Sequence, residues 1–401
     1  MDTRGQATGH CVGLRVKSVQ TETDPHPFLG PEHHAFRDTV RRFVREEIAP
    51  HVNEWDEAET FPRALYQRAS AIGLLGLGFD EAYGGIDADT FCHLILAEET
   101  SRAGCGGLFA SLFSHGIGAP PIARFGSEEL KRRVLPGILA GEKISALAIT
   151  EPSGGSDVAA LKTTARLEGN EYLVNGSKMF ITSGMRADYY SVAVRTGGPG
   201  AGGVSLLLIE RDRAGFTRTP LKKMGWWASD TAALYFEDVR VPAANLIGVE
   251  GKGFKAIMTN FNMERLTMSA AALGAARACL EDAVAWARER HTFGAPLIES
   301  QVIRHKLVDM RMKIESASAF LYDAAWRVEQ GKGDAAQLAM LKNCATQAMQ
   351  FCADQAVQIL GGAGFMRGTR VERIYREVKV MMIGGGAEEI MKDLAARQIG
   401  W

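Results

Sequence analysis

Cysteine is scarce in this sequence, and it occurs in no pattern that would cross-link a fold or hold a metal. The 401 residues include six cysteines, and no two of them form a CxxC pair. A long chain with so few thiols is typical of a reducing compartment rather than of a disulfide scaffold. The nine histidines form no HExxH or comparable ligand spacing. We therefore predict no metal site.

The sequence also lacks an excess of charge of one sign and any long apolar run. The 46 Lys and Arg residues balance 47 Asp and Glu residues, so no global field attracts nucleic acid or an anionic membrane. No run of about 18 apolar residues occurs, and a membrane-spanning helix is not expected. Residues 1–28 have no apolar signal core, and Asp2 and Glu22 argue against a transit peptide. We interpret this segment as a flexible extension, and we expect a cytoplasmic location over the mitochondrial matrix.

Two common nucleotide-binding signatures are missing as well. There is no Walker-type GxxxxGK, and the GxG formed by Gly362 and Gly364 has no third glycine and no strand–helix context. A nucleotide cofactor would therefore be bound by some other arrangement.

The spacing of apolar residues divides the remaining chain into three zones. Residues 29–145 show helical steps of three and four. Residues 146–252 contain short strand-like runs such as Tyr189–Val194, with no helix-length segment between them, which predicts an antiparallel barrel or sandwich. Residues 253–401 return to long, apolar-striped helices, which predict a four-helix bundle. The sequence thus predicts an α+β protein of three domains.

Six motifs spread over most of the chain resemble those of one enzyme family. They are Ala148–Asp157 (AITEPSGGSD), Asn175–Gly184 (NGSKMFITSG), Phe236–Pro242 (FEDVRVP), Arg290–Gly294 (RHTFG), Gln358–Gly362 (QILGG) and Gly385–Ile390 (GGAEEI). Each motif alone is weak, since it also suits a turn or a helix end. In this joint order and spacing they are similar to the motifs of the acyl-CoA dehydrogenases. These are FAD enzymes that remove one hydrogen each from the α and β carbons of an acyl thioester.

The resemblance implies an FAD site built from several stretches of chain. The residues expected at the pyrimidine edge and N5 are Leu147, Ala148, Ile149 and Thr150. Ser156 is expected at the FAD pyrophosphate or the pantetheine arm of the substrate. The residues expected to cover the flavin face away from the substrate are Phe180, Ile181 and Thr182. Two residues near the C-terminus, Ala387 and Glu389, complete this set.

A second set is implied by the way the family shares FAD between subunits. The residues expected to reach the adenosine diphosphate half from a neighbouring chain are Arg290, Gln301, Gln358, Gly361 and Gly362. Arginine suits a pyrophosphate because its planar fork makes bidentate, charge-assisted hydrogen bonds. The resemblance therefore implies a homodimer, or a homotetramer formed from two such dimers.

The catalytic base takes an unusual position. Much of the family carries its glutamate in a Y-E-G-T near the C-terminus, but residues 383–387 read IGGGA here, with Gly385 at the base position. Long-chain and isovaleryl members carry the base instead in an E-R-L at the start of a bundle helix. Residues 262–266, NMERL, match that pattern. We therefore predict that Glu264 removes the α-proton while the β-hydrogen leaves as hydride to flavin N5.

The resemblance also implies a set of residues that bind the substrate. The developing enolate needs a fixed donor, and the backbone N–H of Gly385 can still supply one. We expect Asn262 and Arg265 beside the substrate, with Arg265 at its CoA portion, and Ser156 in the same role if it serves the pantetheine arm. Gly384 stands where Tyr is usual, which predicts room for a branched or bulky acyl group.

The resemblance also implies the partners and leaves two alternatives open. Acyl-CoA is the expected substrate, and an electron-transfer flavoprotein is the expected acceptor. A flavin oxidase or N-hydroxylase of the same fold would react directly with oxygen instead. A DNA-associated flavoprotein is a third interpretation, but the balanced charge argues against nucleic acid as a partner.

Overall fold

The described part of the chain begins just before the first helix. The structure, a computed structural model, describes residues 27–401, so the extension predicted for residues 1–28 lies almost wholly outside it. Phe28 already packs into the protein body, with its ring centroid 6.0 Å from that of Phe91 and 6.2 Å from that of Trp326. Phe28 is therefore packed against the protein body, although it precedes the first helix.

Helices account for the first zone, as the apolar spacing predicts. They are α1 (Pro31–Phe43), α2 (Val52–Glu57), α3 (Ala64–Ala71), α4 (Thr90–Ser101), α5 (Gly106–Leu112), α6 (His115–Gly118), α7 (Pro120–Phe125) and α8 (Glu128–Leu139). Helix α4 begins at a side-chain cap, because the Asp89 carboxylate accepts the N–H of Cys92 at 2.9 Å. Helix α8 is capped in the same way by Ser127.

One group of potential metal ligands lies between α1 and α4. Atoms of His33, Asp89 and Cys92 approach within 4.8 Å of one another. Both ring nitrogens of His33 already form hydrogen bonds. Its Nδ1 accepts the N–H of Gly30 at 2.9 Å, and its Nε2 is hydrogen-bonded to Asp89 at 2.7 Å. We interpret the group as a capping link between the two helices.

The middle zone is a β-sheet domain. Its strands are β1 (Ser145–Ala148), β2 (Thr164–Glu168), β3 (Glu171–Thr182), β4 (Tyr189–Arg195), β5 (Val204–Glu210), β6 (Phe216–Pro220) and β7 (Thr231–Pro242). The path through the sheet is β1-β4-β2-β3-β7-β6, with β5 paired to β4. Most pairs are antiparallel, as predicted, but β1 and β2 both run parallel to β4. Parallel pairing arises because β4 follows the β2–β3 hairpin in sequence but does not pair with β3.

The last zone is a helical bundle with a short hairpin after its first helix. Its elements are α9 (Gly253–Glu289), β8 (His291–Thr292), β9 (Ala295–Pro296), α10 (Gln301–Glu329), α11 (Ala335–Leu360), α12 (Gly362–Phe365), α13 (Arg370–Ile383) and α14 (Glu388–Ile399). The four long helices α9, α10, α11 and α13 form the predicted bundle. Helix α9 also lies against α4 so closely that a Cβ on Gly274 would stand 2.2 Å from the Glu98 carbonyl oxygen.

Two large apolar cores hold these zones together. One core joins α1–α5 to the inner face of the sheet, and the other lies inside the C-terminal bundle and takes in α4. A smaller cluster joins α7 and α8 to β5 and to the start of α9. Among residues 27–401, none of the helices combines the length and hydrophobicity that a bilayer crossing needs.

Candidate active site

Two stretches predicted to contact the flavin are adjacent in the structure. Residues 147–150 form the end of β1 and the turn after it, and residues 180–182 form the end of β3. The backbone N–H of Met179 donates to the Thr150 carbonyl at 2.8 Å. The two stretches therefore meet where β1 and β3 end, although they are 30 positions apart in sequence.

A buried ion pair strengthens this junction. The ammonium of Lys178, which is fully buried, lies 2.8 Å from the Glu151 carboxylate and donates to the Ile149 carbonyl at 3.0 Å. Glu151 also accepts the N–H groups of Lys162 and Thr163 at 2.6 and 2.8 Å. Burial works against ionisation of the carboxyl, but the Lys178 charge and these donors lower the pKa of Glu151 to about 2.

Phe180 points out of the sheet at the same place. Strand β3 changes register against β7 between Lys178 and Ile181, and Phe180 adopts a left-handed φ of 63°. That conformation costs a non-glycine residue about 1–3 kcal/mol, and such strain clusters at functional sites. As a result the aromatic ring is 68% exposed while Ile181 beside it is buried. An exposed ring in this position suits a flat ligand.

The candidate base lies on α9 with its carboxyl end desolvated. Glu264 is half-buried as a residue, but its Oε2 has no solvent contact and no hydrogen-bond partner. Burial raises the pKa of Glu264 to about 7, against the lowering effect of the Arg265 and Lys342 charges. An unpartnered, desolvated carboxyl is costly for stability, and such perturbed groups are typical of catalytic sites.

The glycine turn after α13 is held by two buried cations. The guanidinium Nε of Arg265 donates to the Gly385 carbonyl at 3.2 Å. The ammonium of Lys342 donates to the carbonyls of Met382 and Gly386 at 2.9 and 2.8 Å. Gly385 and Gly386 have φ values of 66° and 115°, which only glycine adopts without strain. The turn is thus fastened to both α9 and α11.

Met268 occupies the space in which a side chain at position 385 would stand. A Cβ built on Gly385 would lie 2.8 Å from Met268 Sδ. Met268 is one helical turn after Glu264 on α9, so the two side chains share a face. A glutamate at 385 would therefore need both a strained backbone and a displaced methionine. This arrangement favours Glu264 over position 385 as the place for the base.

The start of α9 is also linked to the β1 edge of the sheet. Phe261, on α9, belongs to the same apolar cluster as Leu147 and Ile149. The guanidinium of Arg265 lies 5.7 Å from the centre of the Phe261 ring. The predicted base, the glycine turn and the β1 edge are thus joined through one continuous set of contacts.

The raised pKa of Glu264 predicts a specific dependence of stability on pH. A carboxyl whose pKa rises from 4.5 to about 7 on folding contributes stability fully below pH 4.5, and loses it as pH rises through about 7. Glu264→Gln removes this loss. We expect the variant to exceed the parent in free energy of unfolding by about 3 kcal/mol at about pH 8, and to match it near pH 4. Urea unfolding at both pH values measures the difference, and equal curves at the higher pH would contradict the burial of this group.

The second predicted set lies at the far end of the bundle. Arg290 ends α9 and Gln301 begins α10, while Gln358 and Gly361 are at the end of α11. The distance along α9 from Glu264 to Arg290 is about 39 Å, at 1.5 Å per residue. These residues therefore lie at helix ends of the bundle, and Arg290 is well away along α9 from Glu264 of the same chain.

The other predicted residues have less definite positions. Asn262 lies one turn before Arg265, whose Nη1 approaches its Oδ1 at 3.5 Å. Ser156 and Glu389 are exposed, and Ala387 is half-buried just before α14. Their contacts with FAD or CoA stay predictions. The contact of Arg265 with CoA also stays a prediction, since its Nε bonds the glycine turn.

Sequence reasoning missed three residues that shape this site. They are Lys342, Met268 and the ion-pair member Lys178. A signal for Lys342 was present, because a lysine in the apolar run 338–342 of a helix is rarely left buried without a role. No local pattern pointed to Met268, since methionine is common on the apolar face of a helix.

Comparison with known proteins places nearly the whole chain in one family. Models of the acyl-CoA dehydrogenase N-terminal, middle and C-terminal domains match residues 30–142, 146–239 and 251–400. The mitochondrial long-chain specific acyl-CoA dehydrogenase of Sus scrofa is 38% identical over 372 residues, which are 92% of this chain and 86% of the relative.

Solved structures give the same result. An acyl-CoA dehydrogenase from Geobacillus kaustophilus is 37% identical with a TM-score of 0.90, over 94% of this chain and 100% of that one. A glutaryl-CoA dehydrogenase from Mycobacterium smegmatis, solved in complex with FADH2, is 27% identical with a TM-score of 0.88, over 93% and 95% of the two chains. The predicted fold class and family resemblance are confirmed. The chain belongs to the acyl-CoA dehydrogenase family.

Proposed function

We propose that Glu264 removes the α-proton of an acyl-CoA thioester, which is converted to the trans-2-enoyl-CoA with FAD as the oxidant. The observation that carries the proposal is the desolvated Glu264 carboxyl, whose Oε2 has no partner and whose pKa is raised to about 7. Such a base is mostly ionised above pH 7, yet is stronger than an ordinary carboxylate toward a weakly acidic C–H. Its position on α9 is the reason that we assign the chain to the long-chain and isovaleryl subgroup.

The glycine turn supplies the donor that the reaction needs. As the α-proton leaves, negative charge develops on the thioester oxygen, and a fixed N–H stabilises it. The N–H of Gly385 is our candidate for this donor. Arg265 and Lys342 bind carbonyls on both sides of this N–H, at Met382, Gly385 and Gly386, which restricts the movement of the turn.

The place where β1 and β3 end suits a flavin. The Phe180 ring is exposed and Thr150 is half-buried, while their neighbours Ile149 and Ile181 are buried. Residues 147–150 would bind the pyrimidine edge through backbone groups, and residues 180–182 would cover the opposite face. When bound there, FAD would supply the acceptor for the β-hydrogen as hydride at N5. A relative of the same fold has been solved with FADH2, which supports this cofactor.

The far end of the bundle fits a subunit interface. Cβ atoms built on Gly361 and Gly362 would meet nothing within 4 Å, so a ligand can approach the backbone there. Phe293 and Phe365 at this end are almost fully exposed, an arrangement that a second subunit would cover. We propose a homodimer in which Arg290 and its neighbours bind the adenosine diphosphate half of the partner's FAD, with a tetramer as the higher assembly.

Replacing Phe293 should separate the subunits. Its ring is fully exposed on a left-handed backbone with φ 52°, and a buried aspartate at an interface is strongly unfavourable. We expect Phe293→Asp to shift the protein toward monomer in analytical ultracentrifugation and to release FAD. The control is Leu167→Asp on β2, which is also an exposed apolar residue and should leave the assembly intact. A Phe293→Asp protein with the mass and flavin content of the parent would contradict the interface.

We propose a branched or bulky acyl group as the preferred substrate. A Cβ on Gly384 would lie 3.7 Å from Met268 Cε, so position 384 borders the same face of α9 as the base. Glycine at 384 would leave more room beside the reacting carbons than the tyrosine that is usual in the family. Chain length stays open, since the relatives named above act on long-chain and glutaryl thioesters.

The electron acceptor is proposed by resemblance. We expect an electron-transfer flavoprotein in a cytoplasmic setting. No observation in the described residues favours direct reaction with oxygen or association with DNA. Rapid peroxide formation without an added acceptor would favour the oxidase, and salt-sensitive retention on DNA would favour the DNA-associated protein.

Anaerobic titration of the purified yellow protein tests the proposed function. Straight-chain, branched and cyclic acyl-CoAs are added in turn, and flavin absorbance is followed near its visible maximum. We expect bleaching by acyl-CoA thioesters, with the branched or cyclic ones fastest. No bleaching by any thioester would contradict the proposed reaction, and a preference for short straight chains would contradict the assignment for Gly384.

A further inference from the structure

Lys342 is a buried lysine that has no carboxylate partner. It lies in α11 among the buried residues Leu338, Leu341 and Ala345, and its own side chain is fully buried. Among residues 27–401 no carboxylate lies within ion-pair distance of its ammonium. A buried charge of this kind is costly unless it is fully hydrogen-bonded or serves a function. The cost is offset here by the two carbonyls that it binds in the glycine turn.

Those carbonyls determine how the turn presents its N–H groups. Each peptide unit is planar and trans, so an N–H points opposite to the carbonyl of the preceding residue. The bond from Arg265 to the Gly385 carbonyl therefore orients the N–H of Gly386. The bond from Lys342 to the Gly386 carbonyl orients the N–H of Ala387. The bond from Lys342 to the Met382 carbonyl holds the start of the turn.

The charge of Lys342 also acts on the candidate base. Burial lowers the pKa of Lys342 to about 8, so the ammonium is mostly charged up to about pH 7. The charged groups that act on its ammonium are Arg265 and Glu264 from α9 and Glu388 from the start of α14. Glu388 itself is paired with Lys392 at 2.7 Å. The carboxyl of Glu264 has no hydrogen bond at Oε2, so burial first and then the charges of Arg265 and Lys342 determine its ionisation.

We propose that Lys342 is a positioning residue for the dehydrogenation, which orients the glycine turn and supplies a fixed positive charge that favours ionised Glu264. This inference rests on the proposed function of Glu264. In this role Lys342 touches neither substrate nor flavin. Its loss should therefore lower kcat more than it raises KM.

The test compares Lys342→Met with the parent and with Lys379→Met. Lys379 is an exposed lysine on α13, close to the same turn, and its replacement controls for the loss of one positive charge. We expect Lys342→Met to lower kcat on the order of 100-fold, the scale of losing one fixed donor. The pKa seen in the pH profile of kcat/KM should move upward, while Lys379→Met keeps the parental profile. A parental pH profile in Lys342→Met would overturn the proposal, whatever its kcat.

A second readout does not depend on turnover. The stability advantage of Glu264→Gln should level off at a higher pH, and at a larger value, in the Lys342→Met background than in the parent background, because the pKa of Glu264 is then higher. An unchanged plateau would overturn the proposal. Should Lys342→Met fail to fold, Lys342→Gln carries both comparisons, since it removes the charge and keeps an amide donor. Failure of the proposed reaction is a separate result, recognised by the lack of bleaching in the parent.

Discussion

Replacement of Glu264 by glutamine is expected to lower kcat about a thousandfold, the middle of the range for loss of a positioned general base. Glutamine keeps the size and the polar head of the side chain but cannot accept the α-proton. Flavin content and the visible spectrum should stay those of the parent, because Glu264 is predicted to contact the substrate rather than the strands at the β1 edge. Stopped-flow bleaching under anaerobic conditions measures the effect directly.

The matched control for this variant is Glu129→Gln. Glu129 is an exposed glutamate on α8, and the same chemical change there should leave the rate unaffected. Should Glu264→Gln bleach at the rate of the parent, the base lies elsewhere and the subgroup assignment fails with it. A lost rate together with lost flavin would instead indicate a structural role for Glu264.

The second large effect is expected at the buried Lys178–Glu151 ion pair beside the proposed flavin site. Lys178→Met leaves the Glu151 carboxylate buried without its cation, and removing one partner of such a pair costs about 3–5 kcal/mol. Because the pair joins the turn after β1 to β3, we expect a lower free energy of unfolding together with weaker flavin binding. Urea unfolding and flavin release on dilution measure the two effects.

A double variant separates the charge from the packing. In Lys178→Met with Glu151→Gln no charge remains to be buried, and the double variant should recover part of the stability lost in the single variant. A single variant as stable as the parent would contradict the contribution of the pair. A double variant that recovers stability but not flavin binding would show that the cofactor depends on the geometry which Lys178 maintains.

The pattern of apolar residues was sufficient for the architecture. Helical spacing in the first and last zones and strand-like runs between them predict the order helical domain, β-sheet domain, helical bundle. The structure has this order, because side-chain periodicity follows directly from local backbone geometry. The parallel pairing of β1 with β4 was not predicted. Strand direction depends on which strands become neighbours, and no local pattern of Ser145–Ala148 encodes this. The domain limits at 145/146 and 252/253 stay predictions.

The sequence by itself determined the family, and it predicted the candidate base and the two sets of cofactor residues, because these are carried by residue types at fixed spacings. Only the tertiary structure decided that Glu264 is desolvated, that Met268 occupies the space beside Gly385, and that Lys342 and Arg265 hold the glycine turn. These contacts join segments that are 40 or more positions apart in the chain. The ionisation of a carboxyl depends on its burial and on the charges around it, and both are properties of the packed bundle rather than of any one segment.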